Sequence, residues 1–189
     1  MFLATPNDPD ALAYMEKDRQ ATGYLMSHER AWALRPDVAE GFTALRMQLV
    51  ERSTLTKREI ALLVCAGAQA MGDSLCSLAW GGRLASLVGP EAAAEVLRGR
   101  DPADFDARET ALRRWASQVA RHPNETTSAD VDALRTAGLS EREIFEATLW
   151  VALRVAYSTV NDALGARPDP ELLESTPAPV REAVTYGRS

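Results

Sequence analysis

Cysteine and histidine are scarce in this chain: Cys65, Cys76, His28 and His122 are the whole supply among 189 residues. Two thiols cannot build the disulfide framework that staples small secreted domains. Together the four residues match no zinc-site spacing, so no metal site is expected; no cofactor is expected either. Long apolar runs are missing too. No segment approaches the roughly 18 uninterrupted apolar residues of a membrane span. Basic residues are outnumbered, with Lys and Arg at 21 against Asp and Glu at 27, a net charge of -6. Such a balance argues against nucleic acid or an anionic membrane as partner, since both require a basic face. Residues 1–20 have neither a basic start nor a continuous apolar stretch, so no secretory leader is expected. The cytoplasm, with both thiols reduced, is the expected compartment.

β-like alternation is also absent, and the chain reads as helices separated by short breaks. Asn7, Asp8 or Asp10 can cap a first helix that runs to about Gln20 and breaks at Gly23. A second spans Leu25–Leu34 and stops before Arg35-Pro36, because a residue preceding proline is pushed out of the helical region. A third, from about Pro36 to Arg52, places Val38, Phe42, Leu45 and Leu49 at helical spacing. Further helices are expected from Glu59 to Met71, Ser74 to Leu87, Glu91 to Leu97, Arg108 to Arg121, Ala129 to Thr136 and Glu141 to about Leu164. Gly165 is a natural stop. Pro168, Pro170, Pro177 and Pro179 then mark an extended tail, with one turn of helix near Val180–Tyr186. The expected organisation is an N-terminal helical arm (1–24), a helical domain (25–172) and a proline-containing tail (173–189).

Two helix starts echo one another. Leu55-Thr-Lys-Arg-Glu-Ile60 recurs as Leu139-Ser-Glu-Arg-Glu-Ile144. In each, a hydroxyl and a Glu three residues later can satisfy each other's backbone amides, a capping box. Two good helix starts, a duplicated helical unit, or two equivalent helices of one bundle are all consistent with the echo.

The phrase at 55–60 with its Ala-rich helix and following Cys segment resembles the carboxymuconolactone decarboxylase/alkyl hydroperoxidase D family. Asp130–Ile144 resembles the later helices of its peroxidase-related branch. Asn161-Asp-Ala-Leu-Gly165-Ala-Arg-Pro-Asp169 resembles its closing signature. The resemblance covers about residues 25–172 and implies an all-α, alkyl hydroperoxidase D-like helical bundle that forms a homo-oligomer. It also implies redox chemistry built on an upstream Glu and a Cys-x-x-Cys-x-x-x-His motif, whose first thiolate attacks a peroxide and whose second thiol resolves the sulfenic acid. Here only one Cys of that pair stands and the His is gone. With Cys76 as the second Cys, Asp73 and Trp80 occupy the other positions. With Cys76 as the first, Ala79 and Arg83 do.

The resemblance makes Cys76 the candidate thiol, assisted by Glu59 or Asp73, acting on a small peroxide and resolved by an external thiol. A non-redox enzyme acting on a small carboxylate, or a non-catalytic oligomeric ligand-binding module, stand as alternatives. Cys76, near a helix start where exposed amides favour a thiolate, reads equally as a buried apolar residue. Cys65 reads as core. Glu59 is either a capping partner or the relay acid; Asp73 is a helix cap or a general base. Trp80, Arg154 and Asn161 are pocket candidates. Arg154, a lone charge on an apolar helix, is expected either to pair with Glu59 or Asp73 or to reach solvent. His28 and His122 are expected on the surface.

Overall fold

The computed structural model describes residues 1–188, so the last position of the expected tail, 189, lies outside them. Among the described residues there are eleven α-helices and no strand. They are α1 (Pro9–Thr22), α2 (Glu29–Trp32), α3 (Pro36–Arg52), α4 (Lys57–Met71), α5 (Ser74–Val88), α6 (Pro90–Leu97), α7 (Ala107–Arg121), α8 (Ser128–Thr136), α9 (Glu141–Ala163), α10 (Pro170–Ser175) and α11 (Ala178–Ala183). None is long and apolar enough to cross a membrane.

Helix α4 is the axis of the core. Every residue from Glu59 to Ala68 is buried, as expected of a helix that is apolar on nearly all sides. It packs against α5, α7 and α9. Helices α4, α7 and α9 run parallel. Their starts meet at Arg108, which bonds Glu59 and Glu143. Farther along, Trp115 Nε1 donates to Thr148 Oγ1 at 3.0 Å, and at the far end Arg121 Nε donates to the Ala70 carbonyl at 3.0 Å.

Parallel helices put three positive dipole ends side by side. Each of these starts carries a capping box whose carboxylate offsets that end: Thr56/Glu59, Asp106/Glu109 and Ser140/Glu143. Arg108 then links two of those carboxylates, and Arg58 reaches the third, Glu109. The echoed phrases are therefore the starts of two parallel, neighbouring helices.

Gly72 turns the chain from α4 into α5. Its φ of 74° is left-handed, which glycine adopts freely, and the amide of Asp73 closes the α4 end on the Ala68 carbonyl. Farther along α5, Gly81 allows close approach: a Cβ there would lie 2.6 Å from Val180 Cγ1 and 2.8 Å from Leu97 Cδ1.

Val180 belongs to the proline-containing tail, where one turn of helix was expected near Val180–Tyr186; the structure has a helix there and a further one at Pro170–Ser175, where extended chain was expected. Residues 170–175 and 178–183 are helical, and Val180 and Ala183 belong to the main core. Pro170 and Pro179 stand in the first turn of these helices, where the missing N–H costs nothing. Tyr186 anchors the end, its hydroxyl 3.0 Å from Ser77 Oγ. The second helix is also shorter than expected, four residues at Glu29–Trp32. At the other terminus, Ala11 and Met15 of α1 form a satellite core with Ala33.

Candidate functional site

The start of α5 fixes the position of the thiol. Asp73, fully buried, is its N-cap, and Oδ1 accepts from the Cys76 amide at 2.9 Å. That bond holds Cys76 in the first turn, facing α9. From α9, Arg154 Nη1 donates to Cys76 Sγ at 3.2 Å, and the Ser158 hydroxyl lies 3.6 Å from the same sulfur. Arg154, Tyr157, Ser158 and Asn161 recur at the i, i+3, i+4, i+7 spacing of one helix face.

Cys76, Arg154, Tyr157 and Asn161 border a cavity of about 210 Å³ between α5, α9 and the N-terminal segment. Its walls are aromatic. Trp32 stacks on Tyr157 with centroids 4.9 Å apart, and Phe42 lies 5.9 Å from the same ring. Trp32 Nε1 donates to Asn161 Oδ1 at 2.9 Å. The Arg154 guanidinium lies over Trp80 and Tyr157, 5.5 and 5.1 Å from their centroids, a favourable cation–π placement. Arg46 and Arg83 also line the cavity. Larger hollows exist elsewhere, one of about 530 Å³ between α7 and α8, but that one has no thiol.

Cys76 is buried at 4% exposure. Burial pushes its thiol up to about 12. The Arg154 charge works against that rise, while the Asp73 carboxylate adds to it. The thiolate favoured by a helix start is therefore not the resting form: desolvation outweighs the dipole. Burial likewise drives the Cys65 thiol up. Cys65 is fully buried in the core and both cysteines are free.

Glu59 is not brought to the thiol. It closes its own capping box and pairs with Arg108 at the start of α4, whereas Cys76 follows the end of α4, roughly 18 Å away along the helix. One carboxylate cannot serve both ends, so its placement corrects the relay role. Arg154 also departs from expectation. It pairs with neither Glu59 nor Asp73 and does not reach solvent, at 5% exposure. Trp80 and Asn161 line the cavity with Cys76, and Asp73 stands behind it as the cap that accepts from the Cys76 amide. His28, expected on the surface, is 7% exposed, with Nε2 3.2 Å from Glu29 Oε1 and its ring edge-on to Tyr157. The packing of α1 against α2 and α3 shelters this segment. His122 is exposed. Among the described residues, no group of His, Cys, Asp and Glu side chains could hold a metal ion.

Trp32, Phe42, Arg46, Tyr157 and Ser158 were not among the expected site residues. For Tyr157 and Ser158 a signal existed: the polar stripe at helical spacing through Arg154 and Asn161 on an otherwise apolar helix. For Trp32, Phe42 and Arg46 none did, because they belong to a different part of the chain.

No protein-family model and no curated protein sequence matches the chain. Solved structures do. A peroxidase-related protein from Ralstonia eutropha JMP134, with an alkylhydroperoxidase AhpD core, is similar at 24% identity and a TM-score of 0.79, over 90% of this chain and 93% of that one. A peroxidase-related protein from Silicibacter sp. TM1040 is similar at 23% identity and a TM-score of 0.78, again over 90% and 93%. A cysteine-to-alanine variant of the debrominase Bmp8, in complex with 2,3,4-tribromopyrrole, is similar at 16% identity and a TM-score of 0.74, over 92% and 95%. The chain has the AhpD-like helical fold.

Proposed function

We propose that this protein is a peroxidase-related oxidoreductase that works through one thiol, Cys76. The observation that carries the reading is the buried Arg154 guanidinium donating to Sγ at 3.2 Å without a carboxylate partner. A buried cation of that kind is costly unless something negative forms beside it, and a thiolate is such a species. The AhpD-core neighbours described as peroxidase-related support the same class, although a shared fold does not by itself transfer an activity.

In this reading the thiol gives its proton to Asp73, and Arg154 and Ser158 hold the thiolate. The sulfur attacks the distal oxygen of a hydroperoxide. An S–O bond forms, the O–O bond breaks, and the departing alkoxide takes a proton to leave as an alcohol. Cys76 is then a sulfenic acid, oxidised by two electrons. No second cysteine stands near enough in sequence to resolve it, so an external thiol displaces water to give a mixed disulfide. A second external thiol restores Cys76 and leaves as a disulfide. The protein acts as a homo-oligomer in this proposal. Val38, Leu45, Met47 and Val50 on α3 expose apolar surface of the kind a subunit contact covers.

A second reading, a ligand-binding module without chemistry, draws on the raised Cys76 pKa. Sulfenic acid trapping after hydroperoxide treatment, on a Cys65→Ala background, separates the two. A trapped sulfenate that disappears in Cys76→Ser supports the oxidoreductase, with the rate rising as pH increases because more thiolate is present. An unoxidised Cys76 in the folded protein leaves the binding module.

A further inference from the structure

Polar atoms without partners gather at the Cys76 cavity. Nε of Arg154, Nε of Arg46, Nδ2 of Asn161 and Nδ1 of His28 are all buried and unbonded, and all four residues line it. Buried polar groups in folded proteins are nearly always satisfied, so their concentration here points to an occupant. Arg154 and Asn161 carry most weight, at 5% and 0% exposure.

The chemistry of that occupant follows from theirs. Guanidinium and amide nitrogens only donate, so the occupant must accept. Among the described residues, neither Arg46, Arg83 nor Arg154 has a carboxylate within ion-pair distance, unlike Arg108 at the other end of the bundle. Burial, and then the charge of Arg154, hold Arg46 below its ordinary value. The acidic lining residues already have donors from the protein, Glu29 from three other residues of the cavity wall. Glu29 accepts from Tyr14, Tyr157 and His28, and Asp169 from the Ser27 amide. The cavity thus has a basic pole with free donors, and Trp32, Phe42, Tyr157 and Trp80 supply aromatic lining, with Trp32 and Phe42 stacked on Tyr157. At about 210 Å³ it is smaller than the pockets that enclose drug-sized ligands, roughly 300–1,000 Å³. One ring is the fitting size.

We propose that the cavity binds a single-ring aromatic carboxylate, its ring against the aromatic walls and its carboxylate on Arg154 and Arg46. The inference deepens the single-thiol reading and rests on it in one respect: a molecule of this class is the carrier of the hydroperoxide that Cys76 reduces. Ligand recognition itself needs no thiol chemistry.

Calorimetric titration with benzoate, benzamide and acetate tests this on the protein and on Cys76→Ser. Benzoate is expected to saturate one site and to bind at least about tenfold more tightly than benzamide, which lacks the charge, or acetate, which lacks the ring; tenfold corresponds to about 1.4 kcal/mol. Cys76→Ser keeps this selectivity. Arg154→Met and Arg46→Met each weaken benzoate at least about tenfold, and Arg108→Met does not. The half-buried Arg46 carries the comparison if Arg154→Met fails to fold. Benzoate binding no tighter than benzamide, or untouched by the folded arginine variants, overturns the assignment. That failure with Cys76 still oxidised by hydroperoxide removes only the ligand class. Selective benzoate binding beside an inert Cys76 keeps the ligand class and removes the thiol reading.

Discussion

Arg108 and Arg154 carry the same charge into two corners of one helical bundle, and the corners treat it differently. Arg108 joins the starts of α4 and α9, held between Glu59 and Glu143, and a third nitrogen donates to the Gly138 carbonyl at 3.0 Å. The Glu143 carboxyl is held at about 2 by its bond from the Ser140 amide and by Arg108. Arg154, more deeply buried, has a thiol, two aromatic faces and an unbonded Nε. A cation whose carboxylates the chain itself supplies serves the fold. A cation buried without them adds little to the fold, and its position beside a cavity and a thiol is where chemistry is sought.

The contrast can be broken by making the same substitution at both positions. Arg108→Met strands Glu59 and Glu143 at their helix starts and is expected to lower stability by about 1–3 kcal/mol in urea denaturation. An unchanged midpoint would mean that the cluster of helix starts is ornamental. High pH supplies a smaller effect of the opposite corner. In the fold Cys76 keeps its proton to about 12, against an ordinary value of 9.0 in the unfolded chain. Its contribution is fully present below about 9 and is lost as pH rises towards 12, because the unfolded chain releases the proton first. Cys65 acts in the same direction. Denaturation midpoints followed from pH 8.5 upward should fall, and fall less steeply in Cys76→Ala; equal slopes would show that this thiol is not desolvated. The smallest effect is expected from Arg154→Met. Replacing a buried cation that lacks a counter-ion by an apolar side chain should leave stability within about 1 kcal/mol or raise it. A loss as large as that of Arg108→Met would place Arg154 among the structural pairs.

Helix starts were the most legible part of the molecule in sequence, because capping is local. Thr56 with Glu59 and Ser140 with Glu143 lie three residues apart and need nothing else to declare themselves. Of the C-terminal helices only one turn near Val180–Tyr186 was legible, for a related reason. Proline reads as a breaker, yet Pro170 and Pro179 occupy the first turn, where it is tolerated, and only the packing of Val180 on the core explains the position of α11. At the candidate site, Cys76, Asp73, Trp80, Arg154 and Asn161 were legible as chemistry-bearing residues on apolar helices. Glu59 was misleading because capping and proton relay require the same side chain, and only Arg108, 49 residues away, separates the roles. Arg46 and the Trp32–Tyr157 stack were illegible, because these contacts join segments that no local rule connects.

The sequence by itself determined an all-helical chain, the places where its central helices begin, and a Cys76 whose nearest cysteine in sequence is Cys65. Those follow from periodicity, caps and composition, each expressed within a few residues. The tertiary structure alone decided that Cys76 is desolvated, that Arg154 rather than Glu59 faces it, and that aromatic rings from α2, α3 and α9 enclose the space between. Burial and charge pairing depend on which distant segments meet, and that is settled only when the helices pack.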